Sequence, residues 1–130
     1  MVFFTVTEAN DILPEVVKKF EMILAKKSSI SRAQAILESA TNASLSDFIL
    51  AKQQLNRAIT EYYLAIQTLE DTGVIIKSIE QGLLDFPAKM FDDDVWLCWK
   101  YNEETVSFWH EKDSGFINRK PLATSDESWL

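Results

Sequence analysis

The sequence predicts an α+β fold: a long antiparallel helical hairpin, its first helix kinked near Pro14, followed by a three- to four-stranded antiparallel sheet. Two observations carry this. Apolar residues step by three and four through the first half, and β-branched and aromatic runs alternate between Gly- and Asp-rich turns in the second.

In the second helix, residues 45–71, the stepping positions are Leu45, Phe48, Lys52, Leu55, Ile59, Tyr62, Ile66 and Leu69. In the first they are Leu13, Val16, Phe20, Ile23, Lys27, Ile30, Gln34 and Leu37. Folded about a turn near Asn42 and Ala43, the two seams meet in register, as Leu37/Phe48, Ile30/Leu55, Ile23/Tyr62 and Val16/Leu69. One layer, Gln34/Lys52, is wholly polar; two long side chains reaching out of the seam to water are its simplest account. A second apolar stripe, with Val17, Leu24, Ala35 and Ile36 on one helix and Ile49, Ala58 and Tyr63 on the other, predicts cover on more than one side.

Residues 3–6 read as a short strand or an extended lead-in. Thr7 is the expected N-cap of the first helix, and Pro14 is expected to kink the helix near Asn10 or to restart it. Ser44 is positioned to cap the second helix, and Gly73 to end it. Strands are expected at residues 74–79, 83–90, 95–101 and 105–111, with turns at 91–94 and 102–104.

Those turns pair Phe86 with Trp99, Ala88 with Leu97, and Asp85 with Lys100; in the next hairpin Cys98 faces Phe108 and Trp96 faces His110. Alternation sorts the side chains into two faces. Leu84, Phe86, Ala88, Val95, Leu97, Trp99 and Trp109 form an apolar inner face, expected to pack on the helices. Asp85, Pro87, Lys89, Trp96, Cys98, Lys100, Phe108 and His110 form a mixed outer face.

A chain of 130 residues with 47% apolar and 25% charged residues is normal for one domain with its own core. The expected division is a single domain over 1–122, with the hairpin at about 7–72, the sheet at about 74–111 and a C-terminal loop at 112–122; residues 123–130 are expected to be a flexible tail. The net charge of −7 argues against general nucleic-acid binding. The start has no signal-peptide pattern, and no run is long and apolar enough to span a bilayer. With one cysteine, no internal disulfide forms, and a cytoplasmic location is expected.

The chemistry lies on the outer face. Asp85, Trp96, Cys98, Lys100 and His110, helped by Arg119, are the candidate ligand-binding residues. No CxxC or HxxxH spacing supports a metal, so neither a metal nor another cofactor is expected. A Cys98 nucleophile with His110 as base would need contact diagonally across strands, and a small buried hydrophobe is the simpler reading of Cys98. No catalytic residue is expected. Arg119 suits either an anion or a salt bridge pinning the C-terminal loop.

The strings Gly82-Leu83-Leu84-Asp85-Phe86-Pro87-Ala88, Leu97-Cys98-Trp99-Lys100 and Phe108-Trp109-His110-Glu111 are quite specific in that order. With Phe4-Thr5, Glu8-Ala9-Asn10, Leu13-Pro14, Gly73 and Lys77 before them and Gly115-Phe116, Arg119 and Pro121-Leu122 after, they resemble the prokaryotic family called domain of unknown function 2203. Two turns depart from its pattern. Asp92–Asp94 stands where a glycine is usual, and Asn102-Glu103 where Gly-Glu is. The resemblance implies the domain and no activity.

The leading expectation is a non-catalytic assembly module, homodimeric through the hairpin and open to another protein partner. The alternative is a small-ligand- or metal-binding protein, conceivably an enzyme, using the outer sheet face. Neither expects a nucleic-acid or membrane partner.

Overall fold

The computed structural model describes residues 2–122; the tail expected at 123–130 lies outside them. Helix α1 spans Val6–Ser39, a 3-10 turn follows at Ala40–Asn42, and helix α2 spans Leu45–Glu70. Five strands complete the chain: β1 Ile75–Ser78, β2 Leu83–Met90, β3 Asp93–Lys100, β4 Phe108–Glu111 and β5 Lys120–Pro121. They form one antiparallel sheet in sequence order. The fold is therefore α+β as expected, with one strand more. No helix among the described residues is long and apolar enough to cross a membrane.

The chain forms two compact units. Lys18–Leu69 is the hairpin, and among the described residues 2–17 with 70–122 contain the sheet and the first turns of α1.

α1 begins two residues earlier than expected, because Thr5 and not Thr7 is the cap. The Glu8 amide donates to Thr5 Oγ1 at 3.0 Å while the Thr5 amide donates to Glu8 Oε1 at 2.9 Å. This reciprocal capping box satisfies two amides that a helix start leaves open. The helix then runs through Pro14 without restarting. Pro14 leaves the carbonyl of Asn10 without its intrahelical donor. The Asn10 side chain bonds Val106 instead, accepting from its amide at 2.8 Å and donating to its carbonyl at 3.3 Å. Residues 2–5 are a lead-in and not a strand, joined to the sheet by the Phe4 amide, which donates to the Pro87 carbonyl at 2.7 Å.

In the hairpin unit the Asp47 amide donates to Ser44 Oγ at 3.2 Å, the expected cap of α2. The seam differs in detail. Ala51, Ala58 and Ala65, at a seven-residue repeat, are buried, whereas Leu45 and Lys52 are exposed. Small side chains at the repeat permit close helix approach, and so displace the longer ones from the seam. Gln34 and Lys27 are exposed too, consistent with long polar side chains reaching water. An ion pair joins Lys26 Nζ to Glu61 Oε2 at 3.2 Å across the hairpin.

The sheet departs from expectation at its first hairpin. Met90 pairs with Asp93, leaving a two-residue turn, Phe91-Asp92, in place of four. Every β2–β3 pairing is thereby moved by two residues: Phe86 faces Leu97, Leu84 faces Trp99, and Asp85 faces Cys98 in place of Lys100. Lys100 instead faces Leu83. Because side chains alternate with period two, a shift of two leaves both faces as expected. Leu84, Phe86, Leu97 and Trp99 are all buried on the inner face, where the Phe4 ring meets Phe86 edge-on at 5.3 Å. β4 starts at Phe108, later than expected, since residue 106 is engaged by Asn10.

Phe91 holds φ +56° at the first central position of the turn, a place where glycine is favoured. The ring is 81% exposed, so its removal loses little packing. Phe91→Gly is expected to stabilise the protein by about 0.5–1 kcal/mol, less than the full left-handed penalty because glycine also loosens the unfolded chain. A urea or thermal melt checks this; a lower midpoint for the variant would contradict it.

Candidate functional site

The outer face assembles its chemistry from three adjacent strands. Asp85 of β2 stands directly opposite Cys98 of β3, and His110 of β4 stands opposite Trp96, two residues along from Cys98. All three side chains are buried, Asp85 and His110 each at 2% exposure. One oxygen, one nitrogen and one sulfur from these residues lie within 4.8 Å of one another.

Main-chain geometry fixes the histidine. Its Nδ1 lies 2.9 Å from the Glu111 carbonyl oxygen. A carbonyl only accepts, so Nδ1 carries a proton. Nε2 lies 3.1 Å from Asp85 Oδ2, and the pair shares the remaining proton between them. Both ring nitrogens are thus engaged. His110 has no free nitrogen with which to draw a proton from a substrate.

Burial, the largest influence, pushes the Asp85 carboxyl above its ordinary value, while His110 and Lys77 pull it back. The Cys98 thiol is pushed up to about 12, first by burial and then by the Asp85 charge, against the pull of Arg119. It is a thiol and not a thiolate at neutral pH. Two features oppose a Cys98–His110 nucleophile pair, the thiol's retained proton and the engagement of both ring nitrogens.

The other expected site residues divide. Trp96 borders the cluster: Lys77 Nζ sits 4.1 Å from its ring centroid, and its indole N–H donates to the Lys112 carbonyl at 3.2 Å. Lys100 is turned to Phe116, its Nζ 5.4 Å from that ring's centroid. Arg119 takes the salt-bridge role, donating to both carboxylate oxygens of Glu103 at 3.0 and 2.7 Å. Its guanidinium lies between Phe108 and Phe116, 3.9 and 4.3 Å from their centroids. This clamp fastens the C-terminal segment over the outer face.

Lys77 was not among the sequence candidates. Ile76 pairs with Leu84 and Ser78 with Leu83, so Lys77 is the extra residue of a β-bulge. The bulge places it beside the cluster, its Nζ 3.9 Å from Asp85 Oδ2. In the sequence Lys77 stands only among the residues that carry the family resemblance, and its face is set by the bulge.

A cavity of about 190 Å³ opens on this cluster, lined by Lys77, Leu83, Asp85, Cys98, His110 and Phe116 among others. A broader hollow of about 720 Å³ adjoins Asp92 of the turn and Asp93 at the start of β3, both exposed. The smaller cavity holds the chemistry. Freed of the shared proton and of the thiol proton, the cluster presents an imidazole nitrogen, a thiolate and a carboxylate, a donor set that suits zinc-like metals. The expectation of no metal rested on spacing along the chain; cross-strand register brings the donors together where spacing could not show it.

A family model described as an uncharacterized conserved protein, DUF2203, matches residues 2–122, and the chain belongs to that family. Comparison with curated proteins and with solved structures gives no match.

Two outcomes follow for the metal-free protein. Native Cys98 is expected to resist iodoacetamide at about pH 8 and to react at once when unfolded; fast native labelling, followed by mass spectrometry, would contradict the burial argument. The second concerns Asp85. Below the unfolded carboxyl value of 3.8 both states are protonated and its burial costs nothing. As pH rises through the raised folded value, the stability is lost. Asp85→Asn cannot ionise, so the stability of wild type minus that of the variant should fall with rising pH. Urea melts in chelator read this difference, and a rising one would refute it.

Proposed function

We propose that this member of the DUF2203 family binds a divalent transition metal of zinc type through Asp85, Cys98 and His110. The observation that supports it is three buried donor atoms of three kinds within 4.8 Å of one another, with His110 Nδ1 already committed to a main-chain carbonyl. That commitment presents Nε2 inward, as metal-binding histidines require, and holds the ring's orientation. Tetrahedral zinc sets neighbouring ligand atoms about 3.3–3.7 Å apart, within reach of small side-chain adjustments here. Three protein ligands leave a fourth position for the cavity, the pattern of a ligand-binding site and not of a closed structural one.

Charge decides the conditions. A dication offsets one carboxylate and one thiolate, removing the repulsion between them. Deprotonating a thiol near 12 in place of an ordinary one near 9.0 adds about 4 kcal/mol to the step. Binding should therefore release protons and strengthen steeply with pH. A lone thiolate ligand also suits a reducing, cytoplasmic setting.

The test is titration of chelator-treated protein with zinc by calorimetry and with cobalt(II) by absorbance. One ion per chain is expected, with a thiolate-to-cobalt band that Cys98→Ser abolishes. Asp85→Ala and His110→Ala should each weaken binding by about tenfold or more. No uptake by folded wild-type protein at about pH 8 would end this reading.

A second reading, homodimerisation by coiled-coil packing of hairpins, has its own support. Ile49 with Leu50 and Tyr63 with Leu64 are exposed in two apolar patches two heptads apart on α2, with the polar Asn56 and Arg57 at the heptad between. A second copy of the hairpin would cover both patches as a four-helix bundle. Light scattering should give twice the chain mass, and Ile49→Glu with Leu64→Glu should return the monomer; a monomeric wild type at micromolar concentration would remove this reading.

A further inference from the structure

We infer that Lys77 and the open fourth position of the metal site together form a subsite for a small carboxylate monoanion. This rests on the metal reading above and adds its ligand.

Charge balance leads to it. With a dication bound, the Asp85 carboxylate, the Cys98 thiolate and a neutral His110 leave the first coordination sphere uncharged. Arg119, which also lies against Cys98, has its charge matched by Glu103 in a two-bonded pair. Lys77 is then the cation whose partner the metal has taken. At 3.9 Å its ammonium makes an ion pair with Asp85 but not a hydrogen bond, so its three donors are not spent on that carboxylate. The Trp96 ring, 4.1 Å away, steadies the ammonium without consuming a donor in a conventional hydrogen bond. One positive charge thus borders a cavity with one open metal position. A single anion satisfies both.

The cavity sets its size. At about 190 Å³ the cavity is smaller than pockets for drug-sized ligands, and suits a carboxylate with a short stem. Leu83 and Phe116 in the wall favour an alkyl stem over a second charge. The bulge in β1 is the structural device: it interrupts the ladder at Lys77, on the strand that borders the Asp85 row.

The experiment uses the full chain loaded with cobalt(II), titrated with acetate or propionate and read in the visible spectrum. A saturable spectral change is expected. Lys77→Met should weaken it by about tenfold or more while cobalt still binds at one per chain, at equal or higher affinity; Lys77→Arg should retain it. An unchanged spectrum up to roughly 0.1 M acetate, or equal saturation in Lys77→Met, would overturn the carboxylate subsite and leave the metal site standing. An equal response to chloride would overturn the carboxylate class. Failure of wild type to take up cobalt would overturn both.

Discussion

The outer face depends on a turn of two residues. Phe91-Asp92 closes β2 onto β3 so tightly that Asp85 meets Cys98. A turn two residues longer would set Asp85 against Lys100, an exposed-type cross-strand ion pair of at most about 1 kcal/mol. It would also move Cys98 away from the carboxylate. Since both registers keep the inner face apolar, the core does not choose between them. The turn chooses. Its cost is a phenylalanine held at φ +56°, a conformation that bulky side chains seldom adopt.

With the register set, burial does the rest. A carboxylate removed from water must find partners or give up its charge. Asp85 has His110 at 3.1 Å and Lys77 at 3.9 Å, and both oppose the desolvation. The cover over this group is held by Arg119, stacked between two aromatic rings and bonded twice to Glu103. Such a planar, pre-organised clamp suits a short segment with little secondary structure of its own. Leu122 adds a main-chain bond, its amide donating to the Ser107 carbonyl at 2.8 Å. The residues that looked like ligands from the sequence therefore serve two ends: Asp85, Cys98 and His110 form the cluster, and Arg119 keeps its roof in place.

What the sequence disclosed follows from which signals are local and periodic. The helical periodicity that marks two long helices, the Ser44 cap and the alternation along β2 and β3 are such signals and each corresponds to the structure, whereas the residues of the seam do not all do so. Thr5 was passed over as a cap although Glu8, three residues on, completes the box; the apolar run at 3–6 looked like a strand and hid it. The two-residue turn was not legible because Phe91 carries no turn signature. Period two then concealed the resulting error, since a shift of two keeps every residue on its face. A histidine bonded to a neighbouring carboxylate or carbonyl is the simplest reading of His110 from its residue type, and both partners are present, Asp85 and the Glu111 carbonyl; the register that aligns them was not legible. Lys77 was missed because a bulge is a relation between two strands. β5, two residues long, offers no pattern at all.

The same atoms account for two states of the site. Without metal, one proton lies between His110 and Asp85, and the thiol of Cys98 keeps its own; both ring nitrogens and one oxygen of Asp85 are engaged in a buried network. On the proposed reading, a metal replaces those two protons, and its affinity must exceed the cost of creating a thiolate from a thiol near 12. That requirement sorts the candidates. Magnesium and calcium prefer six or more oxygen ligands and gain little from sulfur or imidazole, so they cannot meet it. Zinc-like ions, which bond thiolate and imidazole strongly, can. Burial of Cys98, which removes it as a nucleophile, is thus also what would make the site discriminate between metals.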